Sequence, residues 1–193
     1  RGKDLIVQDG GKGKDKLNAS GGRGKDVIFQ DGGKGKDRLK ARGGRGKDLI
    51  VQDGGKGKDK LNASGGRGND VIFQDGGKGN DKLSASGGRG KDRITVDGGA
   101  GNDKIKIKAG RGADVVIYKV SPGKDRATIN GGKGEDTVHI QTFGLPVTVI
   151  HKKKVIFKQG KGGNLVKLLR VEHVSIDGKK VVGKPKAIPS AKN

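Results

Sequence analysis

Short apolar segments recur along the chain at a fixed spacing. In residues 16–20, Leu17 and Ala19 occupy alternate positions between polar residues, which is the pattern of a half-buried β-strand. A second kind of segment, exemplified by residues 27–31, is apolar at three consecutive positions. The two kinds alternate every eleven residues, so the hydrophobic pattern repeats every 22 residues.

Glycine-rich hexapeptides separate these segments. Most read Gly-Gly-x-Gly-x-Asp, and paired glycines adopt positive φ without steric cost, which predicts turns. A period without insertions over roughly two-thirds of the chain predicts one unit stacked on itself. We therefore predict an all-β parallel solenoid, with two strands and two glycine-rich turns in each 22-residue coil.

The predicted core is a thin apolar seam between two parallel sheets. One column of aliphatic side chains faces the other: Leu17, Leu39, Leu61, Leu83 and Ile105 against Ile28, Ile50, Ile72, Ile94, Val116 and Val138. After residue 140 the repeat gives way to a few apolar alternating segments, which are suited to closing the end of a solenoid. We predict a repeat roll at 1–140, capping β-strands at 141–183 and a flexible basic tail at 184–193.

Thirteen aspartates end the hexapeptides at intervals of eleven residues. Stacked coils would place carboxylates roughly 5 Å apart, where like charges repel and proton affinity rises. A cation among them would relieve that repulsion. The glycine turns beside them expose carbonyl oxygens, which are further ligands for a hard cation. The candidate carboxylates are Asp4, Asp15, Asp26, Asp37, Asp48, Asp59, Asp70, Asp81, Asp92, Asp103, Asp114, Asp125 and Asp136.

The units GGKGKDKLN, GGRGNDVIF and GGAGNDKIK resemble GGxGxDxUx, the repeat of RTX (repeats-in-toxin) proteins. The resemblance covers roughly residues 2–139, although the unit here has eleven residues rather than the nine usual in that family. It implies a right-handed parallel β-roll that holds several Ca²⁺ ions between the turns of successive coils. The implied carbonyl donors are Gly11, Gly13, Gly22, Gly24, Gly33, Gly35, Gly44, Gly46, Gly55, Gly57, Gly66, Gly68, Gly77, Gly79, Gly88 and Gly90.

Two features of the turns leave alternatives open. Lysine precedes the aspartate in most repeats, so a calcium-free ladder of Lys and Asp is the alternative to a metal site. A second aspartate series precedes the Gly-Gly of every other unit, and it either adds ligands or bonds its own turn backbone. That series is Asp9, Asp31, Asp53, Asp75 and Asp97.

The formal net charge of +22 suggests a further partner. One outward column of cations suits a polyanion, whether acidic polysaccharide, lipopolysaccharide or nucleic acid; a solvated face is the simpler alternative. The chain has one Tyr, four Phe and no Trp, so it lacks the stacking aromatics typical of nucleic-acid binding. The column is Lys16, Arg38, Lys60, Lys82 and Lys104.

The second kind of segment also predicts an apolar stripe on the outer face of its sheet. Strands buried on both faces read as continuous apolar runs, and exposed apolar patches mark partners. The rest of the chain, a neighbouring domain or a second copy is expected to cover this stripe. Its residues are Val27, Phe29, Leu49, Val51, Val71 and Phe73.

The remaining features narrow the function. The absence of Cys excludes disulfides and thiolate metal sites, and no apolar run reaches the length of a membrane span. His139, His151 and His173 stand singly, without a catalytic motif, so we do not predict an enzyme. We predict a calcium-binding structural or adhesive module of a larger secreted protein, outside the cell or at its surface. A polyanion-binding solenoid, a calcium-independent scaffold and an appended domain of a secreted enzyme are the alternatives.

Overall fold

The structure is a computed structural model that describes residues 2–152, 154–160 and 163–182. The tail predicted at 184–193 lies outside these residues. The described chain contains β-strands only, and it folds as a parallel β-solenoid with 22-residue coils, as the repeat predicted. Accordingly, this part of the chain contains no helix long and apolar enough to cross a membrane.

Twenty-two strands follow one another along the described chain. They are β1 (Leu5–Asp9), β2 (Lys12–Gly13), β3 (Lys16–Arg23), β4 (Val27–Asp31), β5 (Lys34–Gly35), β6 (Arg38–Arg45), β7 (Leu49–Asp53), β8 (Lys56–Gly57), β9 (Lys60–Arg67), β10 (Val71–Asp75), β11 (Lys78–Gly79), β12 (Lys82–Arg89), β13 (Arg93–Asp97), β14 (Lys104–Arg111), β15 (Val115–Lys119), β16 (Arg126–Lys133), β17 (Thr137–Gln141), β18 (Val147–His151), β19 (Lys154–Gln159), β20 (Asn164–Leu169), β21 (His173–Ile176) and β22 (Lys179–Val182).

The strands form two nine-stranded sheets and one narrow four-stranded sheet. The first large sheet has the order β1-β4-β7-β10-β13-β15-β17-β21-β22, and the second has the order β19-β18-β20-β16-β14-β12-β9-β6-β3. Neighbouring coils pair in parallel with a register of 22 residues, as in Ile28 with Ile50. Equivalent side chains therefore lie in columns along the stack.

The two turns of a coil differ, which the repeat pattern did not predict. At one edge, β2, β5, β8 and β11 form the narrow sheet, because the turn backbone bonds the next coil: the Lys34 N–H donates to the Gly11 carbonyl at 2.7 Å. At the other edge, the Gly-Gly-Arg segment continues the long strand, and Gly22 pairs with Gly44. Both edges are thus joined from coil to coil by main-chain hydrogen bonds.

The predicted apolar seam is confirmed. Leu39, Leu61, Ile50 and Ile72 are fully buried between the large sheets, whereas Leu17 on the first coil is half-buried. The seam also contains a glutamine column that the sequence analysis missed. Gln30, Gln52 and Gln74 are buried there, and each donates from Nε2 to Oε1 of the glutamine one coil earlier at 2.7 Å, the first of these acceptors being Gln8.

The strands after residue 141 continue both large sheets. β20 pairs in parallel with β16, and β21 pairs in parallel with β17. The antiparallel strands β19 and β22 then complete the ends of the two sheets. This part of the chain therefore continues the two sheets past the last repeat coil, and its role as a cap stays a prediction.

Candidate metal centre on two aspartate ladders

The thirteen predicted aspartates form two columns, one at each edge of the roll. Within a column, the backbone N–H of one aspartate donates to Oδ1 of the aspartate one coil later, as Asp59 does to Asp81 at 2.7 Å. Asp4 is exposed and Asp15 is half-buried at the open end, and the other members are buried. The first column holds Asp4, Asp26, Asp48, Asp70, Asp92, Asp114 and Asp136; the second holds Asp15, Asp37, Asp59, Asp81, Asp103 and Asp125.

The second carboxylate oxygen of most ladder aspartates has no hydrogen-bond donor. A buried carboxylate without a compensating partner is costly, by several kcal/mol per ion in real proteins. The roll therefore places a row of uncompensated oxygen atoms along each edge. The unpartnered buried atoms are Oδ2 of Asp15, Asp26, Asp37, Asp48, Asp59, Asp70, Asp81, Asp92, Asp103, Asp114 and Asp136.

Burial raises the pKa of these carboxyl groups. The pKa of Asp92 and of Asp103 rises to about 7, first because burial disfavours the charged form and then because the neighbouring ladder carboxylates repel it. The same causes raise the pKa of Asp70 and Asp81 to about 6. Hydrogen bonds from the preceding backbone N–H groups oppose these shifts without cancelling them. The ladders therefore favour either protonation or a cation.

The first glycine of each pair makes room for the carboxylate. A methyl group on Gly32 would lie 3.1 Å from Asp37 Oδ2 and 2.7 Å from the carbonyl oxygen of Gly54 in the next coil. The contact with the carbonyl oxygen is too close for a real side chain and the contact with the carboxylate is tight, so the two oxygens flank a space that glycine leaves open. These first glycines were not among the predicted donors, although the Gly-Gly pair marks them in the sequence.

The sixteen predicted glycine donors lie in the turns, and all have positive φ. Several of their carbonyls already accept a hydrogen bond from the next coil: Gly33 accepts from the Lys56 N–H at 2.8 Å, and Gly55 accepts from the Lys78 N–H at 2.7 Å. A carbonyl oxygen has a second lone pair. These glycines thus bind the coils together, and their role as metal ligands stays a prediction.

The lysines beside the ladders are exposed to solvent. Lys36, Lys58 and Lys91 are exposed, whereas the adjacent carboxylates are buried with unpartnered Oδ2 atoms. Where asparagine replaces lysine, its side chain bonds the next coil: Asn80 Oδ1 accepts the backbone N–H of Asn102 at 2.8 Å. The ammonium groups therefore do not hydrogen bond to the buried Oδ2 atoms.

The second aspartate series bonds its own turns, which confirms one of the two readings left open. In each case Oδ1 accepts the N–H of the glycine two residues later, as Asp53 does from Gly55 at 2.9 Å. The other pairs are Asp9 with Gly11, Asp31 with Gly33, Asp75 with Gly77 and Asp97 with Gly99.

The capped end of the second ladder differs from its interior. Oδ2 of Asp125 accepts hydrogen bonds from Ser121 Oγ at 3.0 Å and from Tyr118 Oη at 3.5 Å. Beyond the ladders, Asn164 Oδ1 accepts the Asp125 N–H and Glu172 Oε2 accepts the Asp136 N–H, both at 2.9 Å. Sequence reasoning missed all four partners, because Asn164 and Glu172 lie outside the repeat and Tyr118 and Ser121 stand where the repeat departs from its usual residues.

The donor set fits a hard cation. Carboxylate and carbonyl oxygens are the ligands of Ca²⁺, and buried Oδ2 atoms beside glycine supply both kinds of oxygen. Within the described ranges, no group of three or more acidic, His or Cys side chains converges on one point. A site on a ladder would therefore combine carboxylates with main-chain carbonyls.

The predicted cation column lies where the repeat placed it. Its members are exposed and stack in register from β3 to β14, and Arg126 of β16 extends the column by one coil. The three histidines lie in β17, β18 and β21, and His139 bonds Ser175. Polyanion binding on this column stays a prediction.

The apolar stripe remains partly exposed along the first large sheet. Phe29 and Phe73 are 39% and 40% exposed, and the other four members are half-buried. The capping strands extend the sheets beyond the last coil, and among the described residues they do not bury the two phenylalanines. Self-association or domain packing through this stripe stays a prediction.

Part of the repeat region matches a known protein family. Residues 53–94 match the family profile of the RTX calcium-binding nonapeptide repeat (4 copies). None of the curated proteins and none of the solved structures matches the chain.

Proposed function

Because residues 53–94 carry RTX calcium-binding repeats, we propose that the chain is a β-roll module whose stack is stabilised by Ca²⁺ along both aspartate ladders. The observation that carries this proposal is the row of buried Oδ2 atoms without a donor. A divalent cation supplies the positive charge that those atoms lack.

Two kinds of oxygen atom in the roll would bind the ion. After the first member of each ladder, the carboxylate is oriented through Oδ1, which accepts the N–H of the preceding aspartate, and this leaves Oδ2 for the metal. The carbonyl of the first glycine in the next coil, such as Gly54 beside Asp37, supplies a second kind of oxygen. The bound ion screens repulsion between coils. The thirteen ladder aspartates are the proposed ligands, and Asp125 takes part least because Ser121 and Tyr118 already bond its Oδ2.

The exposure of the lysines favours calcium over the calcium-independent Lys/Asp ladder. Lys58, for example, is exposed beside the buried Asp59. A metal-free roll would have to neutralise the ladders in another way, and protonation is available because burial raises the pKa of these carboxyls. The two proposals differ in their response to Ca²⁺.

We further propose that the module serves a structural or adhesive role in a secreted or cell-surface protein. RTX repeats are typical of secreted proteins, and extracellular Ca²⁺ concentrations are sufficient for weak oxygen-ligand sites. The RTX repeat is a structural calcium-binding unit, and the proposed role needs no catalytic group. Repetition of one carboxylate arrangement serves stacking, whereas catalysis requires unlike groups in one place.

A calcium titration of metal-stripped protein tests the proposal. Binding to the folded state stabilises it by RT ln(1 + [Ca²⁺]/Kd) per site, which is about 2.7 kcal/mol at a hundred times Kd. We expect the melting temperature followed by circular dichroism to rise in millimolar Ca²⁺ and to fall again with EGTA, and calorimetry to report several ions per chain. Equimolar Mg²⁺ should have a smaller effect, because Mg²⁺ demands octahedral geometry and releases water reluctantly. An unchanged melting temperature, with no heat of binding, would favour the metal-free scaffold.

A further inference from the structure

A groove runs along the edge of the roll where the Gly-Gly-Arg segments lie. It has a volume of about 920 Å³ and crosses six coils. Glycine forms its floor at each coil and a cationic residue forms its wall, with no acidic residue in the lining. The cationic residues are Arg23, Arg45, Arg67, Arg89, Arg111, Lys133 and Arg170.

These cations form a regular row rather than a diffuse patch. Arg45 pairs in register with Arg67, and Arg67 pairs in register with Arg89, so equivalent side chains follow one another at the strand spacing of about 4.8 Å. All seven are exposed. Arginine offers a planar fork of donors that matches carboxylate and sulfate groups in a bidentate manner, which a lysine ammonium does not.

The floor is suited to a flat ligand. Gly44 and Gly66 are paired within the sheet, and the Arg67 carbonyl accepts the Gly46 N–H at 2.8 Å, so these main-chain groups have partners. Without side chains, the floor presents glycine Cα atoms. A ring with an apolar face can therefore lie on the floor while its anionic substituent reaches the wall.

We propose that this groove binds a linear acidic polysaccharide, with one anionic sugar per coil. The proposal rests on the groove alone and does not require that the ladders bind calcium. From Gly22 to Gly132 the floor spans five coil steps, or about 24 Å, which is the length of roughly five or six sugar units. A nucleic-acid strand fits less well, because duplex phosphates advance by about 3.4 Å per strand and the lining contains no aromatic side chain for stacking.

The predicted cation column provides a matched control on the same coils. Arg38, Lys60 and Lys82 lie on β6, β9 and β12, as do the groove residues Arg45, Arg67 and Arg89. Both sets are exposed and each carries three charges. The column, however, lies on the sheet face outside the groove. A triple change to Gln in either set alters the net charge equally, so general attraction to polyanions falls by the same amount.

The experiment compares R45Q/R67Q/R89Q with R38Q/K60Q/K82Q in one Ca²⁺-containing buffer, with circular dichroism as the check that both fold. The probes are heparin oligosaccharides of defined length. We expect the groove variant to lose about tenfold or more in affinity at about 150 mM salt, and its salt slope to fall by roughly two to three. The column variant should lose clearly less. Affinity of the parent should rise with oligosaccharide length and level off near six sugars.

Four results would overturn the proposal. Equal losses in the two variants would mean that net charge alone attracts the polymer, and a larger loss in the column variant would move the site to the sheet face. If the parent protein does not bind heparin oligosaccharides, the groove is not a site for an acidic polysaccharide. Single-stranded DNA bound as tightly as heparin of equal charge would reject the assignment to polysaccharide.

Discussion

Asn164 takes the position that the next ladder aspartate after Asp125 would occupy. Its Oδ1 accepts the Asp125 backbone N–H at 2.9 Å, in the position where every earlier rung of that ladder uses an aspartate Oδ1. Glu172 does the same for Asp136 on the other ladder. The end of the roll therefore continues the ladder bonds as well as the sheet, so that the last repeat N–H groups keep an acceptor.

Asn164→Ala should loosen the capped end. The change removes the acceptor of the Asp125 N–H and two donor contacts from Nδ2, to the carbonyls of Ser121 and Pro146. With about 1 kcal/mol net for each hydrogen bond, and more where a buried group loses its partner, we expect a loss of about 2–4 kcal/mol in urea unfolding. Asn18→Ala, at an exposed position, should change stability by about 0.5 kcal/mol or less. Equal effects would show that the cap does not depend on this ladder bond.

Asp59→Asn should have opposite effects with and without calcium. Asparagine keeps an oxygen for the Asp37 N–H, which Oδ1 of Asp59 accepts at 2.7 Å, and it removes a buried charge. In metal-stripped protein the melting temperature should rise, because an uncompensated buried charge is gone. In millimolar Ca²⁺ it should fall below that of the parent, because a ligand is gone.

Asp4→Asn provides the control for that change, since Asp4 is exposed at the open end. Without metal it should alter the melting temperature little, and in millimolar Ca²⁺ it should lower it clearly less than Asp59→Asn does, because Asp4 is the terminal ligand of its ladder. If Asp59→Asn lowers stability by the same amount in both buffers, the effect does not depend on Ca²⁺, and the ladder does not hold metal at this coil.

Gly54→Ala tests the space in which oxygen atoms converge. A methyl group there would lie 3.2 Å from Asp59 Oδ2 and 2.5 Å from the Gly76 carbonyl oxygen, so both oxygens would have to move. We expect lower Ca²⁺ affinity by calorimetry together with a loss of stability. Gly144→Ala is the control, because no atom lies within 4 Å of the added methyl group; its positive φ should cost about 1–2 kcal/mol without changing Ca²⁺ affinity. Unchanged affinity in Gly54→Ala would place the metal ligands elsewhere.

The repeat predicted what lies within one coil and its copies. The 22-residue period placed Ile50 beside Ile72 and put Arg38 and Lys60 in one exposed column, because stacking in register aligns equal positions. For Asp53 one of the two readings offered was a bond to its own turn, and the hydrogen bond that its Oδ1 accepts from the Gly55 N–H is local. These features depend only on spacing and on local backbone geometry.

Contacts between the repeat and the rest of the chain were not predictable in this way. Asn164 and Glu172 are 39 and 36 residues from the aspartates that they bond, and no period relates them. The burial of the Gln52 side chain was missed for a different reason. A glutamine in an apolar segment is expected to face solvent unless glutamines one coil away can hydrogen bond to it. The groove was missed because Gly-Gly-Arg reads as a turn, whereas its backbone continues a strand.

The pH dependence of stability should reverse when calcium binds. Burial, reinforced by neighbouring carboxylates, raises the pKa of Asp92 and Asp103 to about 7, whereas unfolded aspartates titrate near 3.9. Between about pH 4 and pH 7 the metal-free roll thus binds more protons than the unfolded chain, so its free energy of unfolding falls as pH rises. Metal-stripped protein in chelator-treated buffer should accordingly melt at a higher temperature at pH 5 than at pH 7.5.

With Ca²⁺ bound, the ladder carboxylates are held ionised, and protons compete with the metal. Stability should then be greater at pH 7.5 than at pH 5, and Ca²⁺ affinity should fall as pH falls. Asp92→Asn with Asp103→Asn should flatten the metal-free dependence, because the two ladder carboxyls whose pKa rises to about 7 are gone while the remaining charges are unchanged. A metal-free melting temperature that rises from pH 5 to pH 7.5 would mean that the ladders tolerate ionised carboxylates without a cation, and the case for calcium from their burial would fail.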